Sequence, residues 1–159
     1  MKKLIILFGL LLSTLAAHAQ FEKGKWFVNP SVTGLNLSYN TGTEKMHFGL
    51  EANGGAFLAD NVALLLHAGA DWQGGGADHY KLGVGGRYYF DAIGIYLGAN
   101  VNLNHSVWMG DKVTRVGFGA EAGYAFFLSR TVTIEPAAYW NVNGDRSKFG
   151  VKVGFGLYF

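Results

Sequence analysis

The sequence predicts an all-β fold: an eight-stranded antiparallel up-and-down transmembrane β-barrel. Three observations carry that expectation. First, apolar and polar residues alternate with period two from Trp26 to the C-terminus, the pattern of strands with two unlike faces. Second, the alternating runs are about 10–13 residues long, close to the ~9–11 of a tilted membrane strand and well above the ~5–6 of soluble proteins. Third, half of the 159 residues are hydrophobic, only 15% are charged, 15% are aromatic and 24 are glycine. That mixture excludes disorder, which needs low hydrophobicity and high charge. It also opposes a helical bundle, where each glycine would cost about 1 kcal/mol. Cysteine is absent, so there is no disulfide, thiolate metal site or cysteine nucleophile.

Residues 1–19 read as a secretory signal peptide. Lys2 and Lys3 precede the apolar run Leu4–Leu12, and Ala17-His18-Ala19 is a cleavage pattern. The apolar run is far short of the ~20 residues of a spanning helix. Cleavage between Ala19 and Gln20 leaves residues 20–159 as one barrel domain. The leader takes two lysines with it, so the mature chain carries eleven bases and eleven acids. The basic balance of the full chain is therefore no argument for a nucleic-acid partner.

The eighth and last strand shows the alternation most cleanly. Phe149, Val151, Val153, Phe155, Leu157 and Phe159 share one face, opposite Gly150, Lys152, Gly154, Gly156 and Tyr158. In the first strand, Trp26, Val28, Pro30 and Val32 share a parity that Leu35, Leu37 and Tyr39 reverse, so a bulge is expected at Gly34. The second strand sets Phe48, Leu50 and Ala52 against Gly49, Glu51, Asn53 and Phe57. The third sets Leu64, Leu66, Ala68 and Ala70 against His67, Gly69 and Asp71. The fourth sets Leu82, Val84 and Tyr88 against Lys81, Gly83, Arg87 and Tyr89. The fifth sets Leu97, Ala99 and Val101 against Gly98, Asn100 and Asn102. The sixth sets Val116, Phe118 and Ala120 against Arg115, Gly117, Glu121 and Phe127. The seventh sets Ile134, Pro136 and Ala138 against Thr133, Glu135 and Tyr139. Tight turns at Ala59–Asn61, Asp91–Ala92 and Ser129–Thr131 alternate with longer polar loops at 40–45, 73–79, 105–112 and 143–147.

Period two alone does not say which face meets water. A soluble carrier barrel points its apolar face inward, and a membrane barrel points it outward. The polar face is glycine-rich and carries a balanced set of charges, which suits the narrow lumen of eight strands. Aromatic residues of the apolar face, including Trp26, Tyr39, Trp72, Tyr80, Tyr88, Phe90, Trp140, Phe149 and Phe159, sit near strand ends, as membrane-interface girdles do. The apolar face is therefore expected to meet lipid.

The segment Phe57-Leu58-Ala59-Asp60-Asn61-Val62-Ala63-Leu64 resembles the first periplasmic turn of the small OmpA-like and OmpX-like outer-membrane barrels. The terminal Gly154-Phe155-Gly156-Leu157-Tyr158-Phe159 resembles their C-terminal strand. The resemblance covers the whole mature chain, although its four loops are shorter than those of adhesive members. It implies a bacterial outer-membrane protein, a monomer whose partners are outer-membrane lipid, periplasmic chaperones and the assembly machinery. Phe155, Leu157 and Phe159 would be the assembly signal.

The candidate functional residues lie on the inward face. Glu51, Asp71, Lys81, Arg87, Arg115, Glu121, Glu135 and Lys152 are expected to form an ionic network, because charges in a dry lumen must pair. Glu51, Glu121 and Lys152 each stand six residues before an inward aromatic and should share a layer. Phe57, Tyr89, Phe127 and Tyr158 are expected to form an aromatic plug at the lower mouth. The expected role is structural, in envelope integrity, with no cofactor, metal or catalytic site. A narrow pore and a lipid-modifying enzyme using His105, Ser106 and Asp111 are the alternatives to that role, beside the soluble carrier. His47, His67, His79 and His105 lack a close metal-ligand spacing, and Asp78-His79 would bind a cation only adventitiously. Gly117 and Gly119 lie inside a strand, without the strand–turn–helix setting of a dinucleotide site.

Overall fold

The computed structural model describes residues 21–33, 47–73, 77–108, 111–144 and 146–159. The leader, the Ala19–Gln20 cleavage site, the parity switch at Gly34 and Tyr39 lie outside the described residues. The strands are β1 (Trp26–Thr33), β2 (His47–Ala59), β3 (Val62–Gln73), β4 (Ala77–Phe90), β5 (Ile95–Trp108), β6 (Asp111–Tyr124), β7 (Phe126–Phe127), β8 (Val132–Asn143) and β9 (Arg146–Tyr158). Each pairs antiparallel with its neighbours in the sheet. The sheet closes where β1 meets β9 and where β6 and β7 both meet β8. β6 and β7 are two parts of one crossing, interrupted at Ala125, so the barrel has eight crossings.

The two prolines explain the two gaps in the ladder. β1 pairs continuously with β2 through Pro30↔Ala52, but its pairing with β9 skips Asn29 and Pro30 and resumes in the same register. β8 pairs continuously with β9 through Pro136↔Val153, but its pairing with β6 and β7 skips Glu135 and Pro136, again without a shift. Proline has no N–H to donate. Each proline therefore interrupts one ladder and leaves the other intact.

The tight turns gather at one end of the barrel, here the turn end. Asn61 adopts φ 67° and Gly94 φ 72°, the left-handed conformation such turns require. At the opposite end, the loop end, the strands run further than the alternation predicts. β4 begins at Ala77, β5 continues to Trp108, β6 begins at Asp111 and β9 at Arg146. The ladder His79↔Ser106 and Trp108↔Asp111 runs through residues read as loop. Polar residues occupy both faces there, so the hydrophobic signal fades while the hydrogen-bonded backbone continues. The second tight turn, at Asp91–Ala92, is also longer than expected: β5 starts at Ile95, and Ile93 and Gly94 both donate backbone bonds to Phe90.

The apolar face points outward. Leu66, Leu82, Val101, Phe118 and Phe155 are exposed, and so are Trp26, Tyr80, Tyr88, Phe90, Trp140, Phe149 and Phe159 near the strand ends. The inward face is buried and mostly polar, with Asn29, Asn53, His67, Arg87, Asn102, Glu121, Glu135 and Lys152 all at 6% exposure or less. The inward apolar residues Ala63, Leu65, Ala125 and Ala137 cluster with the buried aromatics. The barrel thus inverts the usual arrangement, and lipid suits its wall. Val101 lies midway along β5 on the outer face. Val101→Arg should therefore lower the unfolding free energy by about 2–4 kcal/mol, measured by urea titration in lipid vesicles.

Candidate functional site: a cross-braced interior

Charged residues of five strands converge in the lumen. Arg87 on β4 is the centre. Its Nη2 and Nε donate to Glu121 Oε1 on β6 at 2.7 and 2.9 Å, and its Nη1 donates to Glu135 Oε2 on β8 at 3.0 Å. The same Nη1 also donates to the Tyr89 hydroxyl at 2.9 Å. The Tyr96 ring centroid lies 4.1 Å from the guanidinium carbon, a cation–π contact in a desolvated setting.

Glu135 is 1% exposed and accepts four hydrogen bonds. Asn29 Nδ2 (2.8 Å) and Arg87 reach Oε2, while Thr133 Oγ1 (2.7 Å) and the Tyr158 hydroxyl (2.6 Å) reach Oε1. Four bonds use the full acceptor capacity of a carboxylate. A second bracing group stands beside the first. Lys152 Nζ on β9 bridges Glu51 on β2 (2.8 Å) and Glu121 (2.7 Å), and Lys81 approaches Glu51 at 3.5 Å. Glu51, Glu121 and Lys152 meet directly, and six of the eight expected charges form one chain, Lys81–Glu51–Lys152–Glu121–Arg87–Glu135. Gly98 makes room for it: a Cβ there would lie 2.8 Å from Glu121 Cγ.

Two of the eight charges stand apart. Asp71 pairs with Lys148 at 3.6 Å near the loop end, both side chains being about a third exposed. Arg115 is exposed on the overhanging part of β6, over the turn at Gly144. Parity gave their face correctly but not their height, and both lie above the lumen that forces pairing.

Below Arg87, the aromatic residues close the turn end. Phe57 lies 5.5 Å from Tyr89, Phe127 6.1 Å from Tyr158, and the Tyr89 and Tyr158 hydroxyls are 3.3 Å apart. Phe21, Phe27 and Tyr96 join them; the alternation of the fifth strand sets Tyr96 on the inward face, but none of the three was expected in the plug. Phe27 stacks on Tyr158 at 5.3 Å and Phe21 on Tyr89 at 4.2 Å. Phe27 could have been found by the same parity, since Trp26 and Val28 beside it face outward. Phe21 precedes every strand and carries no periodic signal. It is seated by the segment 21–25, which folds across the mouth: Asn61 N donates to Phe21 O at 2.7 Å, Gly24 N to Phe57 O at 2.9 Å and Lys23 N to Asp60 Oδ1 at 3.0 Å.

Phe155, Leu157 and Phe159 all point outward and are exposed. The hydrolase residues do not converge. His105 and Ser106 are consecutive in a strand and face opposite ways. His105 Nδ1 bonds Thr114 Oγ1 at 3.0 Å, whereas Ser106 Oγ bonds His79 Nδ1 at 2.7 Å across the β4–β5 ladder. The side chains of Asp111, Asp78 and His47 lie outside the described residues. Among the described residues, no three His, Asp or Glu side chains form a metal-ligating group. Gly117 and Gly119 lie in β6 against Asn104 and against Asn100 and Asn141.

No family model matches the sequence, and no curated protein matches it. Solved structures do. The N-terminal β-barrel domain of Pseudomonas aeruginosa OprF superposes with a TM-score of 0.63 at 13% identity, over 86% of this chain and 98% of that one. Neisserial surface protein A superposes with a TM-score of 0.61 at 14% identity, over 84% and 94%. A de novo designed transmembrane β-barrel superposes with a TM-score of 0.53 at 15% identity, over 88% and 99%. The chain therefore has the fold of the small eight-stranded outer-membrane barrels.

Removing one partner from a buried charge network strands the others. Arg87→Met should cost about 3–5 kcal/mol in unfolding free energy by leaving Glu121 and Glu135 unpaired. The combined variant Arg87→Met, Glu121→Leu, Glu135→Leu should unfold at higher urea than Arg87→Met alone.

Proposed function

We propose that this protein is an integral outer-membrane barrel whose role is structural, supporting the envelope without passing solute. One observation carries the reading: the charge chain crosses the lumen rather than lining it. Arg87 on β4 is tied to β6 and β8, and Lys152 on β9 is tied to β2 and β6. A conducting pore keeps its charges on the wall with water between them. Here salt bridges fill the section, and a floor of aromatic rings lies beneath.

The turn end faces the periplasm and the loop end faces outward, in keeping with the short periplasmic turns of such barrels. The working partners are then outer-membrane lipid along the wall and, during biogenesis, periplasmic chaperones and the assembly machinery, which would read Phe155, Leu157 and Phe159. The protein acts as a monomer. Against the soluble-carrier reading stands the exposed apolar wall. Against the enzyme reading stands the separation of His105 from Ser106.

Cell fractionation and planar-bilayer recording test this reading together. The protein should partition with the outer membrane, migrate faster on a gel before boiling than after, and give no unitary current in any salt. Stable channel openings would replace the structural reading with the pore. Recovery from the periplasm without detergent would replace it with the carrier.

A further inference from the structure

Among the described residues, the rings that close the turn end come from the barrel wall with one exception. Phe57, Tyr89, Phe127 and Tyr158 stand on β2, β4, β7 and β9, whereas Phe21 precedes β1. Its ring is nevertheless the hub of the floor. The Phe21 centroid lies 4.2 Å from Tyr89, 5.5 Å from Phe127, 5.8 Å from Phe57 and 5.9 Å from Tyr158. Phe57, Tyr89 and Tyr158 are at 2% exposure or less, the Tyr89 hydroxyl bonds Arg87, and the Tyr158 hydroxyl bonds Glu135. The seal beneath the buried charges is thus completed by a segment that is not part of the wall.

Little else seats that segment. Asn61 N donates to Phe21 O, Lys23 N to Asp60 Oδ1 and Gly24 N to Phe57 O. Glu22, Lys23 and Gly24 are exposed, and Phe21 is the one buried residue of the five. From Trp26 onward, by contrast, β1 pairs continuously with β2, and Trp26 also exchanges two bonds with Phe159. A unit held by one ring and a few exposed bonds opens well before a paired strand parts. The segment folds back through a turn. Lys25 N donates to Glu22 O at 3.3 Å, and Gly24, the third of the four residues, takes φ 89°, as the third position of a type II turn requires. A Cβ at Gly24 would meet nothing within 4 Å, so this glycine answers to backbone conformation alone. Phe57 N donates to Lys25 O at 2.9 Å, which fixes the base of the segment and leaves Phe21–Gly24 beyond it.

We propose that residues 21–25 are a hinged lid over the turn end. Lys25 is the hinge, the turn at Gly24 sets the closed position, and Phe21 is the stopper. Lifting the lid parts no two strands and uncovers a socket of four aromatic rings, with Arg87 and Glu135 behind it. The inference rests on the closed-barrel reading and names the element that completes the closure at one end. The opened socket is blind, because the bridges from Arg87 to Glu121 and Glu135 still cross the section.

Hydrogen exchange on the full chain in nanodiscs tests the lid, on variants that keep the heat-dependent gel shift. In the native protein the amides of Gly24 and Asn61 should share one level of protection, well below that of the paired amides of β5. Protection of Asn61 equal to that of β5 would overturn the lid. Gly24→Ala puts a side chain into the left-handed region, so it should lower Asn61 protection about 5- to 30-fold and leave β5 unchanged. No change at Asn61 would also overturn the proposal. A thiol supplies the second readout. Ala63→Cys, at a site 1% exposed within the same cluster, should react slowly with a small methanethiosulfonate reagent, and adding Gly24→Ala should speed that reaction by a similar factor. Equal rates with and without Gly24→Ala would overturn the lid as the barrier to the socket. Unitary current through the native protein would overturn the closed-barrel reading instead, since neither lid readout depends on conduction.

Discussion

A backbone in hydrocarbon has no water to bond, so each unpaired N–H or C=O costs several kcal/mol. The rest of this structure follows from that constraint. It requires the sheet to close, and closure places one seam between β1 and β9 and another between β8 and the β6–β7 crossing. Each seam contains one gap, and each gap contains a proline. Pro30 and Pro136 bring no N–H to the ladder, so the breaks fall where fewest groups can be orphaned. Beyond the Pro30 gap, Trp26 and Phe159 exchange two backbone bonds, at 2.8 and 3.2 Å, that hold the chain ends together.

Closure fixes the contents of the lumen. Eight strands enclose a space that side chains alone can fill, and half of the side chains must point into it. Charges placed there lose their hydration and are tolerable only with full pairing. Arg87, Glu121, Glu135 and Lys152 meet that condition by bonding across the section instead of along the wall. Large groups need small ones opposite, which is why Gly98 lies under Glu121 and Gly85 under His67. Part of the glycine excess of the composition, at Gly83, Gly85, Gly98, Gly117, Gly119 and Gly154, is thus the complement of inward Asn, Glu and His side chains.

The alternation revealed the wall readily, because a lipid-facing strand has to be apolar at every second residue. It gave the strand count, the outward facing of residues such as Leu82 and Phe118, and the inward set. The strand ends were harder to read. Above the apolar belt, His79 and Ser106 continue a regular ladder with polar residues on both faces, and no hydrophobic period marks them. Heights were legible only by counting from strand ends. That sufficed to bring Glu51, Glu121 and Lys152 together, whereas parity alone counted Asp71 and Arg115 into the network although both lie nearer the loop end. Phe21 escaped altogether, because its burial comes from a tertiary fold of residues 21–25 over the mouth rather than from any strand.

The central claim is that the apolar face of every strand meets lipid and the polar face meets the lumen. Because the chain lacks cysteine, single nitroxide labels placed from Tyr96 to Leu103 in lipid vesicles would report it directly through oxygen accessibility. Collisions with oxygen should be frequent at Leu97, Ala99, Val101 and Leu103 and rare at Tyr96, Asn100 and Asn102. The opposite phase, or no alternation along β5, would contradict the account.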